Sequence, residues 1–187
     1  MLARTSDCCA TFHTRLIGTM DDFLAESPTI DANWRAVVLF GRNVASYKFA
    51  LAKTLLEIAG QSDERISLEE LAMPFARHLC EHLSRVDKQT TSRSSRFLDA
   101  CRAFNRGDLS EGRIRDTTAK IGFNNVIDAF HVVGSGPVPV RFFVDERNRG
   151  CADIRLTEEL RRLAASDQAS ALPEETEARW RRCARRS

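Results

Sequence analysis

Apolar residues recur at helical spacing through most of the first 130 residues. The strongest helical pattern covers Asn33–Ala59, and Gly41 divides it. The pattern therefore predicts a short helix, Trp34–Phe40, and a longer one, Asn43–Ala59. Gly60 follows directly, as expected of a glycine that ends a helix.

A second amphipathic stretch starts at a capping box. Ser67 is followed by Glu70 at the spacing at which each side chain can bond the backbone N–H of the other residue. An apolar stripe then runs on past Pro74, where the helix should bend. Similar periodicity predicts further helices over Ser95–Asn105, Ser110–Lys120, Asn124–Phe130 and Thr157–Ala165, and a last helix that follows Leu172-Pro173.

The period changes near residue 140. Val140–Val144 and Ala152–Leu156 flank Arg147–Gly150, a pattern that indicates a β-hairpin. The chain is thus predicted to be mainly α, a multi-helix domain with one hairpin near residues 140–156 whose end could be winged-helix-like. Residues 1–30 are interpreted as a poorly ordered leader, 31–166 as the helical domain, and 167–187 as a C-terminal linker or helix.

Composition excludes several classes of protein. The 187 residues are 43% hydrophobic and 29% charged, an ordinary globular balance. No apolar run approaches the roughly 18 residues of a membrane span, and the N-terminal stretch has no signal-peptide core. The six cysteines include no C-x-x-C pair, which favours reduced thiols. We therefore expect a cytoplasmic protein without a membrane partner.

Arginine is unevenly distributed although the net charge is only +2. Residues 85–115 hold eight basic and four acidic side chains. The tail adds five arginines after residue 178. Such surfaces attract phosphate, although mixed charge on solvated faces is the commoner cause.

One lysine stands in an apolar position. On the helical wheel of Asn43–Ala59, Lys48 lies in the middle of the apolar arc, with no carboxylate three or four residues away. Burying an unpaired ammonium is expensive, so either its head reaches solvent or a negative group from elsewhere meets it. Arg42, beside Gly41, is a second unusual cation, either a helix cap or a functional residue.

The chain contains one metal-type motif. His78, Glu81 and His82 spell H-x-x-E-H, and histidines four apart on a helix can bind zinc. H-x-x-E-H is the signature of the inverted zinc proteases, but such a short motif often arises by chance, and this chain lacks the scaffold of those enzymes. Packed histidines are therefore the preferred interpretation. The sequence offers no other acid–base pair or phosphate loop, and it predicts no catalytic residue and no cofactor.

Four stretches carry a family resemblance: Asn33–Lys53, Ser94–Cys101, Gly122–His131 and Glu177–Arg181. Together they resemble the N-terminal helical region of a bacterial family of HNH endonucleases of the restriction or phage-defence kind. Glu177–Arg181 is similar to the helix that leads toward the nuclease part. The likeness spans roughly residues 30–181.

The resemblance implies a non-catalytic region that binds DNA or positions the nuclease. The histidines and asparagine of an HNH unit have no counterpart in the chain, so the ending at Arg182–Ser187 is interpreted as a truncation or frameshift. A divalent metal is expected only in the nuclease part. Candidate contacts to DNA phosphate or a partner are Arg42, Lys48, Arg93, Arg96, Arg147 and Arg149.

Two other functions compete with this one. The apolar sides of Asn33–Ala59 could pack on a partner protein or a second copy of the chain. A small metal-dependent hydrolase could instead use the H-x-x-E-H residues, with His78 and His82 as weak zinc candidates.

Overall fold

The computed structural model describes residues 28–41, 47–60, 64–85, 95–147 and 152–186, with side chains up to residue 184. Most of the predicted leader lies outside these ranges. So do three candidate contact residues, Arg42, Arg93 and Arg149.

Within these ranges the fold is mainly α, as the periodicity predicts. The helices are α1 (Ile30–Phe40), α2 (Tyr47–Ile58), α3 (Leu68–Arg85), α4 (Arg96–Asn105), α5 (Glu111–Thr117), α6 (Val126–Ala129), α7 (Glu158–Ala164) and α8 (Leu172–Arg186). A π-helical turn, Thr118–Gly122, continues α5. The predicted C-terminal segment is therefore largely helix rather than linker.

Polar side chains at the helix starts explain several of these boundaries. Thr29, Ser95, Ser110 and Thr157 each accept a hydrogen bond from a backbone N–H in the first turn of the following helix. The capping box of α3 is also confirmed. The Glu70 N–H donates to Ser67 Oγ at 3.2 Å, and the Ser67 N–H donates to Glu70 Oε2 at 2.8 Å.

The predicted hairpin is confirmed and belongs to a larger sheet. Strands β4 (Phe143–Asp145) and β5 (Asp153–Leu156) pair antiparallel, and β1 (Arg65–Ser67) joins the other side of β5. The order is thus β1-β5-β4. β1 has only three residues, too few for a visible period-2 pattern. Likeness to a winged helix stays a prediction.

A second, two-stranded sheet follows α6. β2 (Val132–Val133) pairs with β3 (Gly136–Pro137), and Gly134 takes φ +58° at the reversal between them. Gly41 forms an isolated bridge to Val133. The C-terminal end of α1 is therefore tied to this small sheet.

The core is aromatic and lies around α3. Phe75 is fully buried and stacks on Phe97 with ring centroids 5.9 Å apart. Trp34 of α1 contacts Phe142 edge to face at 4.9 Å. Trp180 of α8 is 1% exposed, so the last helix is part of the same core.

We predict that Ser67→Ala lowers the free energy of unfolding by about 1 kcal/mol, because it removes the oxygen that bonds the Glu70 N–H. Urea unfolding of both proteins would measure the difference. Ser84→Ala is the matched control, because the Ser84 hydroxyl bonds a carbonyl within the same helix and should change little. Equal effects of the two substitutions would contradict the capping role.

Candidate functional site

The described candidate contacts lie in three different environments. Arg96 is exposed at the first residue of α4 and has no partner among the described residues. Lys48 is 1% exposed. Arg147 is held by two aspartates. The structure therefore does not bring these three side chains into one site.

Lys48 is enclosed at the junction of α1, α2 and β2. Its Nζ donates to the Val132 carbonyl oxygen at 3.2 Å. A Cβ at Gly41 would overlap both this Nζ and the backbone carbonyl oxygen of Val37, so a larger residue would displace the helix end as well as the ammonium. No acidic side chain among the described residues pairs with it, and burial lowers its pKa to about 8.

The Lys48 ammonium is therefore met by a carbonyl dipole rather than by a carboxylate. It is closed to an external phosphate in this conformation, and its side chain ties α2 to the end of α1 and to β2. The snorkelling alternative also fails, because the head does not reach solvent.

Arg147 is neutralised within the hairpin region. Its Nη2 lies 2.7 Å from Asp128 Oδ1 and 2.7 Å from Asp145 Oδ2, and its Nε donates to Asp145 Oδ1 at 2.8 Å. The guanidinium lowers the pKa of Asp145, and the bond to Asp145 raises the pKa of Arg147. These bonds connect β4 to α6 and leave little capacity for a phosphate.

The H-x-x-E-H residues have separate partners. His78 Nε2 lies 3.0 Å from Glu57 Oε2, whereas His82 stacks on Trp180 with ring centroids 3.9 Å apart. Glu81 is exposed. Across the described ranges no three His, Cys, Asp or Glu side chains are grouped so that they could hold a metal ion. The zinc hypothesis therefore has no support from this geometry.

A charged cluster that sequence reasoning missed surrounds Glu177 of α8. Lys53 Nζ and Arg181 Nε each lie 3.1 Å from this carboxylate, and His82 Nδ1 lies 3.6 Å away. Burial raises the pKa of Glu177, but the bonds from Lys53 and Arg181 outweigh it, so the net pKa is below the usual value. The Glu177–Arg181 spacing was visible in the sequence, whereas Lys53 comes from a distant helix.

Two shallow clefts flank Lys53. One, of about 460 Å³, is lined by Glu57, His78 and Ser170 among others, and the second, of about 410 Å³, includes Glu177. Burial lowers the pKa of His78, which favours the neutral ring. Its Nδ1 is buried without a hydrogen-bond partner, so this nitrogen is out of reach of a molecule bound in the cleft. The Glu57–His78 pair is consequently not arranged as a general base.

His131 and the two core cysteines also occupy structural positions. His131 Nε2 accepts the Phe142 N–H at 3.0 Å, and burial lowers the pKa of His131 to about 3, so its ring is neutral. Cys80 and Cys101 are buried free thiols between α3 and α4. Contact with Cys80 and burial raise the pKa of Cys101, which disfavours a reactive thiolate.

A second charged cluster lies on the three-stranded sheet. Glu146 is 4% exposed and forms ion pairs with Arg65 of β1 and Arg155 of β5. Both arginines lie outside the stretches that the charge distribution had singled out.

No protein-family model, curated protein or solved structure matches the chain. None of the helices in the described ranges has the length and apolar character needed to cross a membrane.

We predict that Lys48→Met stabilises the protein at pH 7. A folded-state pKa of about 8 against an ordinary 10.5 corresponds to roughly 3 kcal/mol of destabilisation while the lysine is charged in both states. Above pH 8 the unfolded chain binds the proton that the folded chain has released, so the stability of the natural protein rises with pH up to about 10.5.

The advantage of Lys48→Met should therefore shrink between pH 8 and 10 in urea unfolding experiments. Lys120→Met is the control, since Lys120 is exposed and has no described partner. A Lys48→Met protein that is less stable at pH 7 would contradict the assignment.

We predict that Glu177→Gln lowers the free energy of unfolding by about 1–2 kcal/mol at pH 7, because the half-buried Lys53 loses its counter-charge. The folded-state pKa of Glu177 is depressed, so its contribution is present above the ordinary value of 4.5 and is lost as the pH falls below it. Urea unfolding at pH 7 and pH 4 would measure both effects. Glu174→Gln, exposed on the same helix, should be near neutral at either pH.

Proposed function

We propose that this chain is a non-catalytic helical module of an HNH-type endonuclease of the restriction or phage-defence kind. Its work would be to bind DNA or to hold the nuclease part in place. The observation that carries the proposal is the integration of α8 into the core. This helix contains the Glu177–Arg181 stretch, which resembles the helix leading toward the nuclease.

Three neighbouring helices hold α8. Trp180 lies between His82 of α3 and Phe49 of α2, with ring centroids 3.9 and 5.8 Å away. Glu177 pairs with Lys53 of α2. From α1, Arg35 Nε donates to Glu175 Oε2 at 2.8 Å.

Such a helix has one fixed direction relative to the rest of the module. A nuclease part joined to it would inherit a defined orientation, as the positioning hypothesis requires. A freely rotating linker would not provide this.

The proposal assigns no chemistry to the described histidines and core cysteines. His78 and His131 are held by hydrogen-bond partners, His82 stacks on Trp180, and Cys80 and Cys101 are buried. In the resembled family the divalent metal belongs to the nuclease part.

A protein-interaction module is the second candidate. Most of the described apolar side chains of Asn33–Ala59 pack against other parts of this chain. Leu39 and Phe40, however, remain 36% and 46% exposed at the end of α1, and they favour a small contact with another chain.

We predict that the purified chain binds a labelled DNA duplex in a salt-dependent manner and does not cut it in the presence of Mg²⁺. If the chain makes three phosphate contacts, its affinity for the duplex should fall roughly 40-fold when the salt concentration rises from about 50 to 200 mM. Fluorescence anisotropy measures the affinity, and gel electrophoresis detects cleavage.

No binding at the lower salt concentration, together with a salt-insensitive dimer in light scattering, would reject DNA binding in favour of the interaction module. Cleavage that disappears in His78→Ala would support the hydrolase alternative instead.

A further inference from the structure

The outer face of the three-stranded sheet places two arginines side by side. Arg65 of β1 lies directly opposite Arg155 of β5 in the antiparallel register. The neighbouring Ile66 and Ile154 are buried, so the alternation of strand side chains puts both arginines on the other, outward face.

The hydrogen bonds around this pair define its type. The Leu156 N–H donates to the Glu64 carbonyl at 2.8 Å. Arg65 and Arg155 are the next pair of opposed residues along the two strands. They therefore form a non-hydrogen-bonded pair, in which the Cα atoms approach to about 4.5 Å and side chains lie closest. Like charges directly opposite each other destabilise a strand pair.

Glu146 offsets this repulsion between the two arginines. Its Oε2 lies 3.1 Å from Arg65 Nε and its Oε1 lies 3.0 Å from Arg155 Nε. The side chain of Glu146 is 5% exposed, whereas those of Arg65 and Arg155 are 64% and 40% exposed. The carboxylate thus fixes both guanidiniums by their Nε atoms while their outer parts face solvent.

The Nη groups of both arginines have no partner among the described residues. Arg65, Glu146 and Arg155 together carry one net positive charge. Asp153, two residues along β5 on the same face, carries a negative charge and bounds the site on one side.

We propose that Arg65 and Arg155, oriented by Glu146, form a phosphate-binding site. Two fixed forks of N–H donors suit a group with several free oxygens, and guanidinium binds phosphate in this bidentate way. The phosphate could belong to a nucleic-acid backbone or to a small phosphate compound. The nucleic-acid source rests on the proposed function, whereas the site itself does not.

The first arm of the test uses duplex DNA. Arg65→Gln should weaken binding about tenfold and reduce the salt slope by about one, because one charge-assisted phosphate contact is lost. Arg65→Lys should fail to restore it, since lysine lacks the planar fork. Arg65 is the preferred variant because the Arg155–Glu146 pair remains intact.

Arg106→Gln is the matched control. Arg106 is 63% exposed and also pairs with a single carboxylate, that of Asp108 at 2.8 Å. It loses the same charge but should leave affinity within about twofold. Equal losses at Arg65 and Arg106, with the duplex still bound, would overturn the site while leaving the proposed function intact.

The second arm uses inorganic phosphate alone, followed by NMR of the arginine Nε–H signals. Phosphate should shift the Arg65 and Arg155 signals saturably, and acetate at equal ionic strength should not. If phosphate shifts these signals but the duplex does not bind, the site stands and the DNA proposal fails. Equal shifts with acetate, or no shift with phosphate, would reject the site.

Glu146→Gln tests the positioning residue. If the Glu146 carboxylate only offsets the repulsion between the arginines, replacing it with a neutral amide should leave the affinity for phosphate equal or higher. If it orients the forks, the variant loses selectivity for phosphate over acetate although the net charge becomes more positive. Unfolding measured in urea would show whether the variant is still folded.

Discussion

The costliest constraint on the described part of the fold is the burial of the Lys48 ammonium. Its Nζ lies against Gly41 and bonds the Val132 carbonyl, so three elements must meet at one point: the end of α1, the face of α2 and the start of β2. Loss of water around this charge costs stability, and the carbonyl dipole offsets only part of it. Packing of the surrounding core must therefore supply the stability that the carbonyl does not restore.

Elsewhere in the fold, buried charges are compensated by ion pairs, in which one carboxylate contacts two cations. Glu177 holds Lys53 and Arg181, and Glu146 holds Arg65 and Arg155. In each case the acid is largely buried and joins elements distant in sequence. Most buried charge in the described ranges is thus internally compensated.

Helical periodicity and capping residues were sufficient to predict most of the fold, because both act within a few residues of the chain. The capping box at Ser67 and the hairpin around residue 150 are examples. The charged clusters could not be predicted, since Lys53 and Glu177 meet only after α2 and α8 pack together. Lys48 was identified as unusual from its helical position alone. Its carbonyl partner, 84 residues away, was not foreseeable.

The two carboxylate clusters differ in one of their two cations. At Glu177 the Arg181 side chain is 51% exposed, but the Lys53 side chain is only 17% exposed, so the Lys53 ion pair fixes α8 to α2 inside the fold. At Glu146 both cations are exposed arginines, at 64% and 40%. An ion pair between a buried acid and an enclosed cation joins two elements. A buried acid that pairs with two exposed guanidiniums leaves N–H donors at the surface, where an anion can reach them.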